Sequence, residues 1–311
     1  MNKIRLDKME FPYRFFFKKN LLNKLDFNRY PEKKEEKKLE RRISSFFGIK
    51  KNISLSNGSD EIISTYISSL KKNERLGFFE PSFSMYKKYS KIYKKKYIKV
   101  NLNKKFEIEN IKIKKCKIFF ISYPNNPTGN LFKKKKIENL IKKNSSTLFI
   151  VDEAYYFYSG KTLLKTLDKY NNVVIIRTFS KVGLAGLRIG FLISNKKEKR
   201  RFTKIRSPYS VNKIAIKLTL IILRKRNFRK IKNKIKKILK TKKWIIDILL
   251  KKKINVFKSR SNFFLINSKK IIIHKKILLK KISFLKKKYL RVTVGTKKEL
   301  YFLNKNIMID K

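Results

Sequence analysis

The chain of 311 residues has one cysteine, one histidine and one tryptophan. With Cys116 alone no intramolecular disulfide can form, and a lone thiol fits a reducing compartment. With His274 alone there is no histidine-rich metal site, and no Ser–His–Asp triad that omits that residue. Both residues are read as structural. Alanine occurs only at positions 154, 185 and 215, and there are nine glycines and six prolines. Acidic residues are scarce too: 21 Asp and Glu stand against 84 Lys and Arg, a net charge of +63. Long apolar runs are missing. IFFIS, IIRTF and GFLI are strand-length, well short of the ~18–20 residues that span a membrane. MNKIRLDKMEF lacks the apolar stretch of a secretory signal, so a cytoplasmic protein with no membrane partner is expected.

Taken alone, the charge suggests a nucleic-acid binder, because a cationic surface releases counterions from phosphate backbones. The lysines, however, are spread along the whole chain with Asn, Ile, Phe and Tyr, and are not gathered into one arm or helix face. That is the profile of codon drift in a very AT-rich genome, so no specific nucleic-acid partner is expected. The excess charge should still destabilise the compact state by self-repulsion and attract polyanions without specificity.

Against such drift the rare residues are informative. Six of the nine glycines fall in four segments, NGSDE, NNPTG, KVGLAGLRIG and RVTVGT. Glycine is retained where the backbone needs a positive φ or a close approach to a ligand.

The hydrophobic 42 % of the chain suffices for a core. Residues 34–47 read as a charged helix closed by Gly48, and 59–72 as a helix starting at Ser59 or Asp60. Strands are expected at 53–56, 75–79, 97–102, 117–122, 147–155, 172–180 and 188–194, with Pro81 opening a helix after the second of these. Continuous apolar strands alternating with helices predict an α/β fold with a mostly parallel buried sheet. Residues 196–253 read as lysine-rich helix. Strands then flank a helix expected near 274–287, which suggests a smaller C-terminal α+β domain. The expected division is an N-terminal arm over 1–33, a large domain over 34–205 and a small domain over 206–311.

Ligands of such sheets sit at the carboxyl ends of the strands. The polar residues there are Ser122 to Pro127, Asp152 to Tyr155, and Thr178 to Lys181, with Arg188 seven residues after the lysine. Asn57, Gly58, Ser59 and Asp60 place free amide groups at a helix N-terminus, a natural seat for phosphate. Pyridoxal phosphate requires this set. Its aldehyde needs a lysine amine, its ring nitrogen a buried carboxylate, its phenolic oxygen hydrogen-bond donors, and its phosphate hydroxyls, amides and a guanidinium.

At these residues the chain resembles fold-type I aminotransferases, in particular the histidinol-phosphate aminotransferases. LDKMEFPY, NRYP, NGSDEII, PSFSMY, YPNNPTG, DEAYYFY, RTFSKVGLAGLRIGF, RSPYSVN, SNFFLI and LRVTVGT all occur in the family's order and cover nearly the whole chain. The resemblance implies a large domain with a mostly parallel sheet and a smaller C-terminal α+β domain. It implies that Lys181 holds pyridoxal 5'-phosphate as a Schiff base and shuttles the proton. It assigns Asp152 to the pyridinium, Asn126 and Tyr155 to the phenolic oxygen, and Ser59, Asp60, Thr178, Ser180 and Arg188 to the phosphate. Phe83 would stack on the ring, and Tyr30 would reach the phosphate from a neighbouring subunit of a homodimer. Arg291 would clamp a substrate carboxylate. Tyr13, with Arg206 and Tyr209, would take part in substrate selection. The Asn126–Pro127 bond is expected to be cis. The segment from Lys181 to Arg188 is one residue shorter than the family usually has, so whether Arg188 reaches the phosphate is open at this point. Met9 stands where the family more often has a polar residue.

The implied activity is transfer of an amino group from glutamate to imidazole-acetol phosphate, giving histidinol phosphate and 2-oxoglutarate. Alternatives are an aromatic or aspartate aminotransferase, a threonine-phosphate decarboxylase, or a degenerate relative whose basic surface binds polyanions.

Overall fold

A computed structural model of the chain describes residues 3–14, 17, 28–109, 113, 115–268 and 271–309. In chain order it runs β1 (Ile4–Arg5), α1 (Lys33–Phe47), β2 (Asn52–Asn57), α2 (Gly58–Ser68), β3 (Arg75–Glu80), α3 (Ser84–Ile92), β4 (Lys96–Asn101), β5 (Ile118–Ser122), α4 (Lys134–Lys143) and β6 (Leu148–Asp152). Two single-turn helices, α5 (Tyr156–Ser159) and α6 (Thr166–Lys169), precede β7 (Val173–Thr178) and β8 (Ile189–Ser194). Three helices follow, α7 (Lys196–Ile205), α8 (Lys213–Ile222) and α9 (Lys225–Lys251). The chain closes with β9 (Val256–Phe257), β10 (Phe263–Asn267), β11 (Ile271–Ile273), β12 (Ile277–Leu278), β13 (Lys280–Phe284), β14 (Lys287–Thr293), α10 (Lys297–Lys305) and β15 (Ile307–Ile309).

Strands β2 to β8 form one sheet in the order β2-β8-β7-β6-β5-β3-β4. Strands β3 to β7 pair in parallel, and β8 runs antiparallel to both β2 and β7. Strands β5 to β8 are buried at every residue, and their alternate side chains feed two cores. Phe119, Phe149, Ile175 and Phe191 enter one; Phe120, Ile150, Val174 and Leu192 enter the other. Two buried faces explain why these strands read as unbroken apolar runs. The parallel strands deliver their carboxyl ends, Ser122, Asp152 and Thr178, side by side along one edge.

Helix α9 owes its length to an apolar stripe. Phe228, Ile231, Ile235, Ile238, Ile245 and Leu249 recur at helical spacing and are buried, and most of its lysines face outward. A second, antiparallel sheet, β13-β14-β10-β9, packs beyond it. The N-terminal segment lies along this sheet. Strand β1 pairs with β12, the Thr293 amide donates to Leu6 O (2.8 Å), and the Met9 amide donates to Thr293 Oγ1 (2.9 Å).

Two expectations about elements are corrected. Pro81 does not open the third helix, which starts at Ser84 behind the cap residue Phe83. Pro81 follows directly on the end of β3, and the chain turns through Ser82 before a helix can begin. Residues 274–287 hold no helix. They form β12, β13 and the start of β14, joined by a two-residue turn in which Leu285 and Lys286 take φ of 47° and 59°. Such a turn ordinarily carries Asn or Gly. Here its residue types give no turn signal, and cross-strand pairing overrides local preference. Among the described residues no helix is long and apolar enough to cross a membrane.

Candidate active site

Asp152 ends β6 and is 3 % exposed. It accepts hydrogen bonds from the Ala154 amide (3.0 Å) and the Tyr86 hydroxyl (3.1 Å), and among the described residues no cation pairs with it. Burial raises its pKa to about 6. A buried carboxylate with two neutral donors and no counter-charge is incomplete, since desolvation of a charge is offset only by pairing.

Strand β7 ends at Thr178, and a turn of 3-10 helix over Ser180–Val182 presents Lys181 to the same space. Gly183, at φ 93°, releases the chain from that turn. The Lys181 ammonium lies 6.0 Å from the centre of the Tyr155 ring. Burial pushes its pKa down, and Arg291 pushes the same way, against the pull of Asp60 and Asp152. That shift eases loss of the proton, which gives the nucleophilic form of the amine.

The far end of the cleft is built from backbone. Gly58 (φ 71°) starts α2, and a Cβ there would lie 2.5 Å from Arg188 Nη2. Gly190 lets β8 pass against that start, because its Cβ would lie 2.4 Å from the Gly58 carbonyl carbon. Arg188 takes φ 52°, which turns its guanidinium into the cleft, where Nη2 donates to Asp60 Oδ2 at 3.0 Å. The shorter segment after Lys181 therefore does not keep Arg188 away. The Thr178 hydroxyl lies 2.9 Å from that of Ser180 and 3.0 Å from Ile189 O.

The opposite wall is a polar chain. Asn126 Nδ2 donates to Tyr155 Oη (3.2 Å), and Asn126 Oδ1 accepts from Arg291 Nη1 (2.7 Å). The Tyr155 hydroxyl donates to Met9 Sδ (2.9 Å), and Arg291 Nη2 donates to Asp7 O (2.8 Å). Arg291 Nε is buried without a partner. Burial holds the Tyr155 phenol well above its ordinary pKa, so it stays a donor. The Asn126–Pro127 bond is cis.

One cleft is thus lined by Lys181, Asp152, Tyr155, Asn126, Ser59, Asp60, Phe83, Thr178, Ser180 and Arg188, together with Ser122 and Ala154. Arg291 stands behind Asn126. Other expected residues lie elsewhere. Tyr30 is 73 % exposed and stacks on Tyr209 at 4.5 Å. Tyr13 is outside the cleft, beside Phe11 and within 6 Å of the Lys234 and Lys237 amines. Arg206 is engaged with Glu36 (2.6 Å) and Leu55 O (2.7 Å), which ties α1 to β2. Tyr86 was not anticipated as a partner of Asp152. It sits one helical turn beyond Phe83 on α3, and that spacing was the available signal.

The cleft can hold a flat ring bearing one positive charge at Asp152, an electrophilic carbon near Lys181, and a phosphate at Arg188, the hydroxyls and the start of α2. These demands arise from the donor set itself, above all from the unpaired Asp152.

Comparison with known proteins agrees. The profile of the family aminotransferase class I and II matches residues 6–304. The chain is 36 % identical to the histidinol-phosphate aminotransferase of Clostridium novyi (strain NT) over 295 residues, 89 % of this chain and 82 % of that protein. It is 34 % identical to the enzyme of the same name from Aquifex aeolicus (strain VF5) over 322 residues, 95 % and 89 % of the two chains. Among solved structures, histidinol-phosphate aminotransferase from Clostridium acetobutylicum superposes with a TM-score of 0.82 at 22 % identity, covering 97 % of each chain. The Sinorhizobium meliloti protein of that name, in complex with pyridoxal-5'-phosphate, superposes with a TM-score of 0.84 at 17 % identity, covering 98 % and 90 %. The structural likeness establishes the fold-type I architecture.

Proposed function

Because the chain belongs to the class I and II aminotransferase family, we propose that it transfers the amino group of glutamate to imidazole-acetol phosphate, with pyridoxal 5'-phosphate as cofactor. The products are histidinol phosphate and 2-oxoglutarate. The observation that carries the cofactor is the juxtaposition, in one cleft, of an unpaired buried Asp152, a lysine with a lowered pKa and a cradle suited to phosphate. The substrate rests on the relatives, which bear that name over most of the chain. A degenerate polyanion-binding protein is not favoured, since Lys181, Asp152, Asn126, Tyr155 and Arg188 all stand at the cleft and the relatives bear the name of the enzyme.

When bound, pyridoxal phosphate supplies an electrophilic carbon and a ring that accepts electron density from the substrate Cα. The residues supply the rest. Asp152 keeps a proton on the ring nitrogen, and the Tyr86 hydroxyl fixes which way that carboxylate points. Lys181, its pKa lowered by burial, would supply the amine nucleophile and would carry the proton from the substrate Cα as a general base. Tyr155 and Asn126 orient the ring through its phenolic oxygen. Phe83 covers one face. Arg188, Ser59, Thr178, Ser180 and the first amides of α2 hold the phosphate, with Asp60 holding Arg188 in turn. Arg291, whose Nε has no partner among the described residues, would take the carboxylate of the glutamate donor. In a cytoplasmic homodimer of the kind the resemblance implies, the exposed Tyr30 would reach the phosphate of the neighbouring subunit.

The test is spectroscopic. Purified protein with cofactor should absorb at roughly 410–430 nm, and borohydride should fix the cofactor onto Lys181. Histidinol phosphate should convert that band in a half-reaction. Lack of the band refutes the cofactor assignment. A band that responds to aspartate or aromatic amino acids and not to histidinol phosphate refutes the substrate.

A further inference from the structure

Lys242 is a buried cation that this chemistry does not touch. It lies on the inner side of α9, 8 % exposed, and no carboxylate among the described residues pairs with it. Its ammonium donates to two backbone carbonyls, Ser259 O at 2.9 Å and Ser261 O at 2.7 Å. Both belong to the turn 259–262 that leads into β10. The outer side of that turn reaches the cleft by two routes. The Arg260 amide donates to Gly129 O (2.7 Å), and the Gly129 amide donates to Asn125 O (2.7 Å), closing the loop that carries Asn126. Contact here is close: Gly129 sits at φ 77°, and a Cβ on it would lie 2.3 Å from Ser259 Oγ. By the second route Asn262 Nδ2 donates to Met9 O (3.0 Å), and Met9 Sδ accepts from the Tyr155 hydroxyl.

We propose that Lys242 is a positioning residue for the cleft. Its ammonium clamps the turn 259–262, and the turn holds the Asn126 loop on one side and the Met9–Tyr155 contact on the other. Packing alone does not account for it. Burial pushes the Lys242 pKa down to about 8, with the charge of Arg260 acting the same way. An apolar side chain of equal length would avoid that desolvation. It would also leave two inward carbonyls without a donor, and the turn would move to satisfy them. The inference rests on the reading that Asn126 and Tyr155 face the cofactor, but the clamp can be measured apart from it.

The experiment is hydrogen–deuterium exchange on the cofactor-loaded protein, comparing Lys242→Met and Lys242→Arg with the parent chain. In Lys242→Met the amides of 258–263 and 125–130 should exchange about tenfold faster, while β5 to β7 keep their protection. Cofactor should dissociate several-fold faster. Lys242→Arg, which retains the cation and its donors, should recover both values. If Lys242→Met fails to fold, Lys242→Gln reads the same coupling with one donor fewer. Faster exchange confined to 258–263 overturns the proposal, because the turn would then not hold the Asn126 loop. So does uniform acceleration that includes β5 to β7, the mark of a general packing residue. If the parent chain binds no cofactor, the functional reading fails, whatever the exchange shows.

Discussion

Asp152 and Glu153 are consecutive carboxylates at the end of β6, both almost wholly buried, and their surroundings are opposite. Glu153 accepts from Arg177 Nε (2.9 Å), from the Thr162 hydroxyl (2.8 Å) and from the Leu163 amide (2.7 Å), with Arg177 Nη2 in an ion pair at 2.8 Å and donating to Thr162 Oγ1. Arg177 in turn lies 3.7 Å from the centre of the Tyr156 ring. In that network both carboxylate oxygens have partners within the fold. Asp152, on the other side of the strand, has among the described residues a hydroxyl and an amide as its partners. Burial raises the pKa of both acids, but Glu153 has Arg177 to oppose it within the fold. A buried charge that the fold satisfies belongs to the frame. One that the fold leaves unsatisfied marks where something else must bind.

The comparison can be broken at either carboxylate and at its neighbours. The largest effect belongs to the cleft. Lys181→Ala should lower amino transfer by on the order of 10⁴-fold or more, with no borohydride-fixed adduct. A residual half-reaction near the parent rate would remove Lys181 from the mechanism. Next is the closed network. Glu153→Gln leaves Arg177 buried without its counter-charge and should cost about 3–5 kcal/mol in denaturant unfolding of the cofactor-free protein. An unchanged midpoint would mean that the two carboxylates do not differ in kind.

Asp152→Asn should act in the reverse sense. Asp152 keeps its proton up to about pH 6 in the fold but only to 3.8 when unfolded, so ionising it opposes folding. Its protonated form is fully stabilising below 3.8, and that contribution is lost as the pH rises through about 6. At pH 8 cofactor-free Asp152→Asn should therefore be more stable than the parent by up to roughly 3 kcal/mol, with little difference below pH 4. The same variant should bind pyridoxal phosphate more weakly. A variant less stable at both pH values would contradict the picture of an unpaired carboxylate. The smallest effect is expected for Tyr86→Phe, which removes one hydrogen bond to Asp152. About 1 kcal/mol of lost orientation corresponds to roughly fivefold weaker cofactor binding, measurable by titration.

Much of this is legible in the sequence. The unbroken apolar runs of β5, β6 and β7 announced buried parallel strands. Since ligands collect at strand ends, Ser122, Asp152, Thr178 and Lys181 were legible as neighbours. The glycines at 58 and 190 stood out against a chain poor in glycine, and both sit where a Cβ has no room. Other features had no local mark. The hairpin of β13 and β14 turns on Leu285 and Lys286, residue types that mark no turn, so the local sequence there suggests a helix instead. Tyr86 reaches Asp152 from a helix 66 positions away along the chain, and only the packing of α3 on the sheet aims its hydroxyl. Arg206, a candidate for substrate selection, is bound to Glu36 instead.

By itself the sequence determined the periodicity of the elements, the strand ends at which polar residues collect, and the ordered motifs that resemble one enzyme family. All of these are properties of neighbours along the chain. Only the tertiary structure decided which buried charges are paired. Glu153 finds Arg177 because β6 and β7 lie side by side, Lys242 finds the 259–262 turn because that turn packs against the inner side of α9, and Asp152 forms no ion pair among the described residues. The energy of a buried charge depends on distances of a few ångströms and on exclusion of water, and both are set by packing rather than by spacing in the chain.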